Sequence, residues 1–171
     1  MYKNILLLFM LLILTACGTK NNISQLFKKD EIYHTSLLNT QKGQLIASFE
    51  TKALITATYL NPVFKKNSHK NFSIDVSGGE YFFVGVFITN SKTNRFDEKG
   101  YSLTLNGQKP IEVIKLDKDD PLKYEMPMVD NWSTYYKVKF PTMHTKKLKL
   151  VFESDRFGKD VLIFRKRDIK N

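Results

Sequence analysis

Cys17 is the only cysteine in the chain, so no disulfide can form within it. A domain exported to an oxidising compartment would then carry no free thiol beyond that residue. A membrane-spanning run is missing too, because the longest apolar stretch, residues 5–14, falls short of the ~20 residues a transmembrane helix needs. Catalytic signatures are absent: there is no Gly-x-Ser-x-Gly and no His-Glu-x-x-His, and His34, His69 and His144 lie far apart. Gly78-Gly79 is followed by no Lys-Ser/Thr and is not a phosphate loop. Asp117, Asp119 and Asp120 offer oxygen ligands but lack the bidentate acid and tight glycine turn of a calcium loop, and they read as a solvated turn. Arginine is scarce. Only Arg95, Arg156, Arg165 and Arg167 stand among 27 basic residues, and specific base recognition favours arginine's planar fork. The net charge of +10 therefore reads as a lysine-rich surface suited to solubility or to an anionic envelope polymer, with no nucleic acid. No catalytic residue, metal or cofactor is expected, and the chain does not read as an enzyme.

What is present is globular. The 42% hydrophobic and 13% aromatic content, with 13 Phe and 8 Tyr, supplies bulky rigid groups for a core and argues against disorder. The chain is long enough for one ordinary domain.

The amino terminus is the most specific stretch. Residues 1–4 carry one lysine, residues 5–14 (ILLLFMLLIL) are apolar, and Leu14-Thr15-Ala16-Cys17 closes the run. This pattern, with leucine, two small residues and cysteine, resembles the bacterial lipoprotein signal, or lipobox. The resemblance implies cleavage before Cys17, a thioether-linked diacylglycerol on its sulfur and acylation of the new amine. Several acyl chains hold a protein to a membrane where one holds it only marginally. Gly18 then occupies the second position, and by the enterobacterial sorting rule a residue other than Asp there directs the protein to the outer membrane. The expected layout is a signal peptide over residues 1–16, a lipidated tether with a possible short helix over 17–43, and a β-sandwich domain over 44–171. Within the tether, Ser24 to Leu38 places Leu26, Phe27, Tyr33, Leu37 and Leu38 mostly at three- and four-residue steps, as a short amphipathic helix would. Such a helix packs on the domain or lies on the membrane. Asn39 to Gly43 is expected to turn the chain.

From Gln44 onward the pattern alternates. Strands are expected at 44–50, 52–60, 72–76, 80–90, 101–105, 110–116, 133–140, 147–152 and 160–166, with Leu122 to Met126 as a short edge strand. Residues 52–60 also suit a short helix. The run Glu80 to Asn90 is nearly all apolar and reads as a central strand covered on both faces, with Gly85 marking a bulge or close packing. Asn106-Gly107 is the strongest hairpin signal and is expected to pair residues 101–105 with 110–116. Seven to nine strands at this spacing predict a mainly all-β fold, an antiparallel immunoglobulin-like sandwich. The mature domain also resembles uncharacterised lipoproteins of the epsilon-proteobacterial type, in Ala57-Thr58-Tyr59-Leu60-Asn61-Pro62, Phe82-Phe83-Val84-Gly85-Val86 and Lys147-Leu148-Lys149-Leu150-Val151-Phe152-Glu153. That resemblance implies the same sandwich and carries over no catalytic residue.

For function, Trp132, Tyr135 and Tyr136 beside Met126 and Met128 are the candidate partner-binding residues, since aromatics and methionine are enriched where proteins bind. The competing reading packs Trp132 and one tyrosine in the core and leaves the other tyrosine on a sheet face. Tyr59-Leu60-Asn61-Pro62 is either a turn or a recognition loop. The expectation is a lipid-anchored envelope protein, held to the membrane through Cys17 and facing the periplasm, whose sandwich binds or scaffolds an envelope protein or an anionic polymer; the alternatives are charge-based binding of an anionic envelope glycan or lipid, and, behind that, a hydrolytic or metal-dependent site.

Overall fold

Among the described residues eight strands form, most of them where β-branched and aromatic residues alternate between turn-forming clusters. They are β1 (Thr40–Ala47), β2 (Glu50–Tyr59), β3 (Glu80–Ile88), β4 (Tyr101–Leu105), β5 (Glu112–Lys115), β6 (Thr134–Phe140), β7 (Lys147–Ser154) and β8 (Gly158–Arg165). The computed structural model describes residues 31–64, 74–91, 93–96 and 100–166. Cys17, the leader and the first part of the expected helix lie outside the described residues. Residues 31–38 are helical (α1), and two short helices follow, α2 (Asn61–Phe64) and α3 (Pro121–Glu125). Among the described residues no helix is long and apolar enough to cross a membrane.

All pairings are antiparallel. One sheet has the order β1-β2-β3-β6-β5 and the other β4-β7-β8. With β1 set aside, β2-β3-β6-β5 opposite β4-β7-β8 is the A-B-E-D and C-F-G arrangement of an immunoglobulin-like sandwich. β1 is an extra strand added outside A. Its outer edge is guarded from the other sheet, where Asp160 Oδ2 accepts from Gln44 N at 2.8 Å. Gly43 makes that approach possible, because a Cβ there would sit 2.6 Å from the same carboxylate oxygen. A charge laid against an open edge discourages pairing with another chain.

Two cores result. The inner faces bury Tyr59, Phe82, Phe140, Phe152 and Phe164 between the sheets. Edge-on contacts link Phe82 to Phe140 and Phe164, with centroids 5.8 and 5.2 Å apart. The outer face of the larger sheet carries Tyr81, Phe83 and Tyr135, covered by Ile32 of α1, Val63 and Phe64 of α2, and Leu122 and Met126 at α3. Past Glu80, β3 is thus apolar because both its faces are covered, as its composition predicts. Gly85 serves close packing. Tyr135 lies opposite it in the ladder and stacks on Phe83 at 5.1 Å, and a Cβ at position 85 would meet that ring at 2.5 Å.

Several expectations are corrected. β1 begins at Thr40, so residues 40–43 pair with β2 where a turn was expected; of the two readings open for residues 52–60 the strand holds, as part of β2, which ends at Tyr59. Residues 74–76 are not a strand. Residues 122–125 of the expected edge strand are helix, and Met126 is its C-cap: Asp120 caps the start, its side chain accepting from Leu122 N at 2.9 Å, with Pro121 in the first turn. Asn106-Gly107 does reverse the chain, but β4 and β5 do not pair. After one bridge between Leu105 and Gln108, β4 pairs with β7 and β5 with β6 in the opposite sheet. In α1 the buried positions are Ile32 and Ser36, while Tyr33, Leu37 and Leu38 are exposed.

Candidate functional site

The strand registers give the sandwich two distinct ends. At one, the foot, the chain arrives through α1 at Thr40 and leaves at Lys166. Glu80 stands there at the start of β3, opposite Phe140 at the end of β6. At the other, the loop end, lie the Ser48-Phe49 turn, the β3–β4 and β5–β6 connections and the β7–β8 hairpin.

The foot holds a buried ionic cluster. Glu80 is 2% exposed; it accepts from Tyr59 Oη at 2.6 Å and from Met143 N at 2.9 Å, and it pairs with Lys166. Lys166 also donates to the Met143 carbonyl. Burial pushes the Glu80 carboxyl up, but the hydrogen bonds from Lys166, Tyr59 and Met143, with the lysine's charge, outweigh it and hold the group below its ordinary value. The Tyr59 hydroxyl is pushed far above its ordinary value by burial and by donation to Glu80. This arrangement satisfies every partner and closes the foot. Asn61, in the stretch that reads as a turn or a recognition loop, is likewise internal. Its Oδ1 accepts from Tyr81 N and its Nδ2 donates to Gly79 O, both at 2.8 Å, fixing where β3 begins.

The loop end carries the candidate site. Tyr135 and Tyr136 are 2% and 1% exposed, so neither offers a docking face: Tyr136 packs between the sheets and Tyr135 beneath the outer cover. Trp132 is the residue that stands out, 69% exposed, with Met128 and Val129 exposed beside it in sequence. Its loop is held from several sides. Asp130 N donates to Tyr135 Oη at 2.7 Å. Trp132 N and Ser133 N donate to Asp130 Oδ1 at 3.0 and 2.7 Å. Asn94 Nδ2 donates to the Trp132 carbonyl at 2.7 Å, while Asn94 Oδ1 accepts from Ile88 N at 2.8 Å. Burial pushes the Tyr135 hydroxyl above its ordinary value, and the Asp130 charge adds to the rise against the hydrogen bond from Asp130 N.

Beside this loop lies an open cleft of about 520 Å³, within the size range of ligand sites. Its lining comes from two stretches, residues 115–118 with Lys115, Leu116, Asp117 and Lys118, and residues 130–135 with Asp130, Asn131, Ser133, Thr134 and the buried Tyr135. Lys123 completes the lining. Its ammonium lies 5.2 Å from the centre of the Tyr135 ring and donates to Lys118 O at 3.0 Å. The chemistry on offer is hydrogen bonding by hydroxyl, amide and ammonium groups. Among the described residues no three His, Cys, Asp or Glu side chains converge as a metal-ligand set. The lysines were not legible in the sequence because they come from β5, the following turn and α3, which only the fold brings together. No family model, curated protein or solved structure matches this chain.

Proposed function

We propose that this is a lipid-anchored protein of the bacterial envelope, held in the outer membrane through Cys17, whose sandwich binds another envelope component through its loop end, without turnover. One observation carries the reading. The chain's only tryptophan is 69% exposed on a loop tied down by Asp130, Tyr135 and Asn94, at the end of the sandwich away from where the chain arrives. Burying an aromatic of this kind at an interface is a common source of binding energy, and a pre-fixed loop loses little entropy on binding.

Two measurements test it. Cys17→Ala is expected to move the protein from the membrane to the soluble fraction; unchanged fractionation rejects the anchor. A photo-crosslinking residue at position 132 is expected to give a discrete adduct in intact cells, and one at Gln41, exposed on β1, none. Equal labelling from both positions, or none from either, rejects the loop end as the binding surface.

A further inference from the structure

The cleft beside Trp132 has a chemistry of its own, and we propose that it binds an acidic saccharide, a sugar ring bearing carboxylate groups. This rests on the reading of the loop end as the binding surface and names the ligand class for it.

Three observations point the same way. The first is charge: Lys115, Lys118 and Lys123 face the cleft against two carboxylates, Asp117 and Asp130. Asp130 is already turned onto its own loop, taking bonds from Trp132 N, Ser133 N and Ser133 Oγ, so its charge is largely answered. The balance favours an anion. The second is the lining. Asn131 can donate and accept, while the hydroxyls of Ser133 and Thr134, whose protons go to Asp130 Oδ2 and the Thr93 carbonyl, keep lone pairs that accept from sugar hydroxyls. The cleft is open and mostly polar. The third is Trp132, whose indole stands in water on the loop that supplies part of the polar lining. An exposed indole face is a platform for the C–H face of a sugar ring and loses its water on contact. Lys123 is already aligned by Tyr135 and the Lys118 carbonyl, so its ammonium is placed before a ligand arrives.

Trp132 is the only indole and lies on the loop whose neighbours Asn131 and Ser133 line the cleft, so its emission is the probe. The purified full-length protein is titrated, following tryptophan emission, with trigalacturonate, with its neutral methyl ester and with triglutamate. These supply ring plus charge, ring alone and charge alone. Trigalacturonate is expected to give a saturable change in emission, and each control to bind at least tenfold more weakly. The double variant Lys115→Gln/Lys123→Gln, folded by circular dichroism, is expected to lose at least tenfold in affinity. Lys42→Gln, on β1 and outside the cleft, is expected to bind unchanged. Affinity should fall as salt is raised. No saturable response to trigalacturonate overturns the proposal, and so does undiminished binding by the double variant. Equal binding of triglutamate overturns it in favour of an acidic peptide, and equal binding of the ester overturns the role of charge. A crosslink at position 132 without any trigalacturonate response retains the binding surface and removes the saccharide, so the two readings fail separately.

Discussion

Glu80 opens a strand that is otherwise apolar, and its partners explain how a carboxylate is tolerated there. Removing one partner of a buried, hydrogen-bonded ion pair leaves the other unanswered and costs ~3–5 kcal/mol. Glu80→Ala is therefore expected to destabilise the domain by about that amount, read from urea unfolding. The pH dependence follows from the lowered pKa. The folded carboxyl titrates below its ordinary value of 4.5, so its stabilisation is fully present above that pH and is lost as pH falls through the folded value. The wild type should lose this increment on acidification, and Glu80→Gln, already less stable at neutral pH, should lack that step. The cluster was not legible in the sequence because Tyr59 and Lys166 lie 21 and 86 positions away from Glu80. Gly85 was legible, since a glycine inside an apolar strand signals close approach. Gly85→Ala should cost ~1–3 kcal/mol by overpacking against Tyr135. In a Tyr135→Ala background the same change should cost little, a coupling that a double-mutant cycle reads directly.

Elements fail to follow from sequence where a local signal is right but its partner is remote. Asn106 and Gly107 have φ of 48° and 83°, the conformation a tight reversal needs. Yet Asn106 spends its side chain on β7 and the chain before it, accepting from Lys149 N at 2.8 Å and donating to Thr145 Oγ1 at 3.0 Å. Pro110, with no N–H, ends any ladder with β4, and Ile111 N donates instead to Lys139 O. The turn was legible and the sheet receiving the next strand was not. The converse case is the β1–β2 hairpin, whose two-residue turn carries neither Asn nor Gly. Ser48 and Phe49 have φ of 53° and 62°, and Phe49 is fully exposed. A phenylalanine in the left-handed region is strained by ~1–2 kcal/mol. Replacing the pair by Asn-Gly should stabilise the domain by ~1 kcal/mol, seen as a higher thermal midpoint with unchanged circular dichroism.

At the scale of the molecule, strand number and spacing were sufficient for the sandwich, because alternation and turn residues are local properties. The extra strand β1 and the outer layer over Phe83 and Tyr135 were not legible, since both depend on which face a remote segment covers. With no disulfide in the described core, the join between sheets rests on aromatic packing around Phe82. Phe82→Ala should cost ~3–5 kcal/mol, a large share of an ordinary domain's stability, and denaturant unfolding measures it.

The added strand also sets how the domain bears load. β1 starts at the foot and runs to the loop end, hydrogen-bonded to β2 along its length. Under the proposed anchoring and binding, a pull between the chain entering at Thr40 and a ligand held at the loop end would act along the strand axis, at right angles to those bonds. The β1–β2 ladder is then loaded in shear, with its bonds resisting together instead of parting one at a time. On that proposal, the strand that lies outside the immunoglobulin-like arrangement would be the one that bears the load.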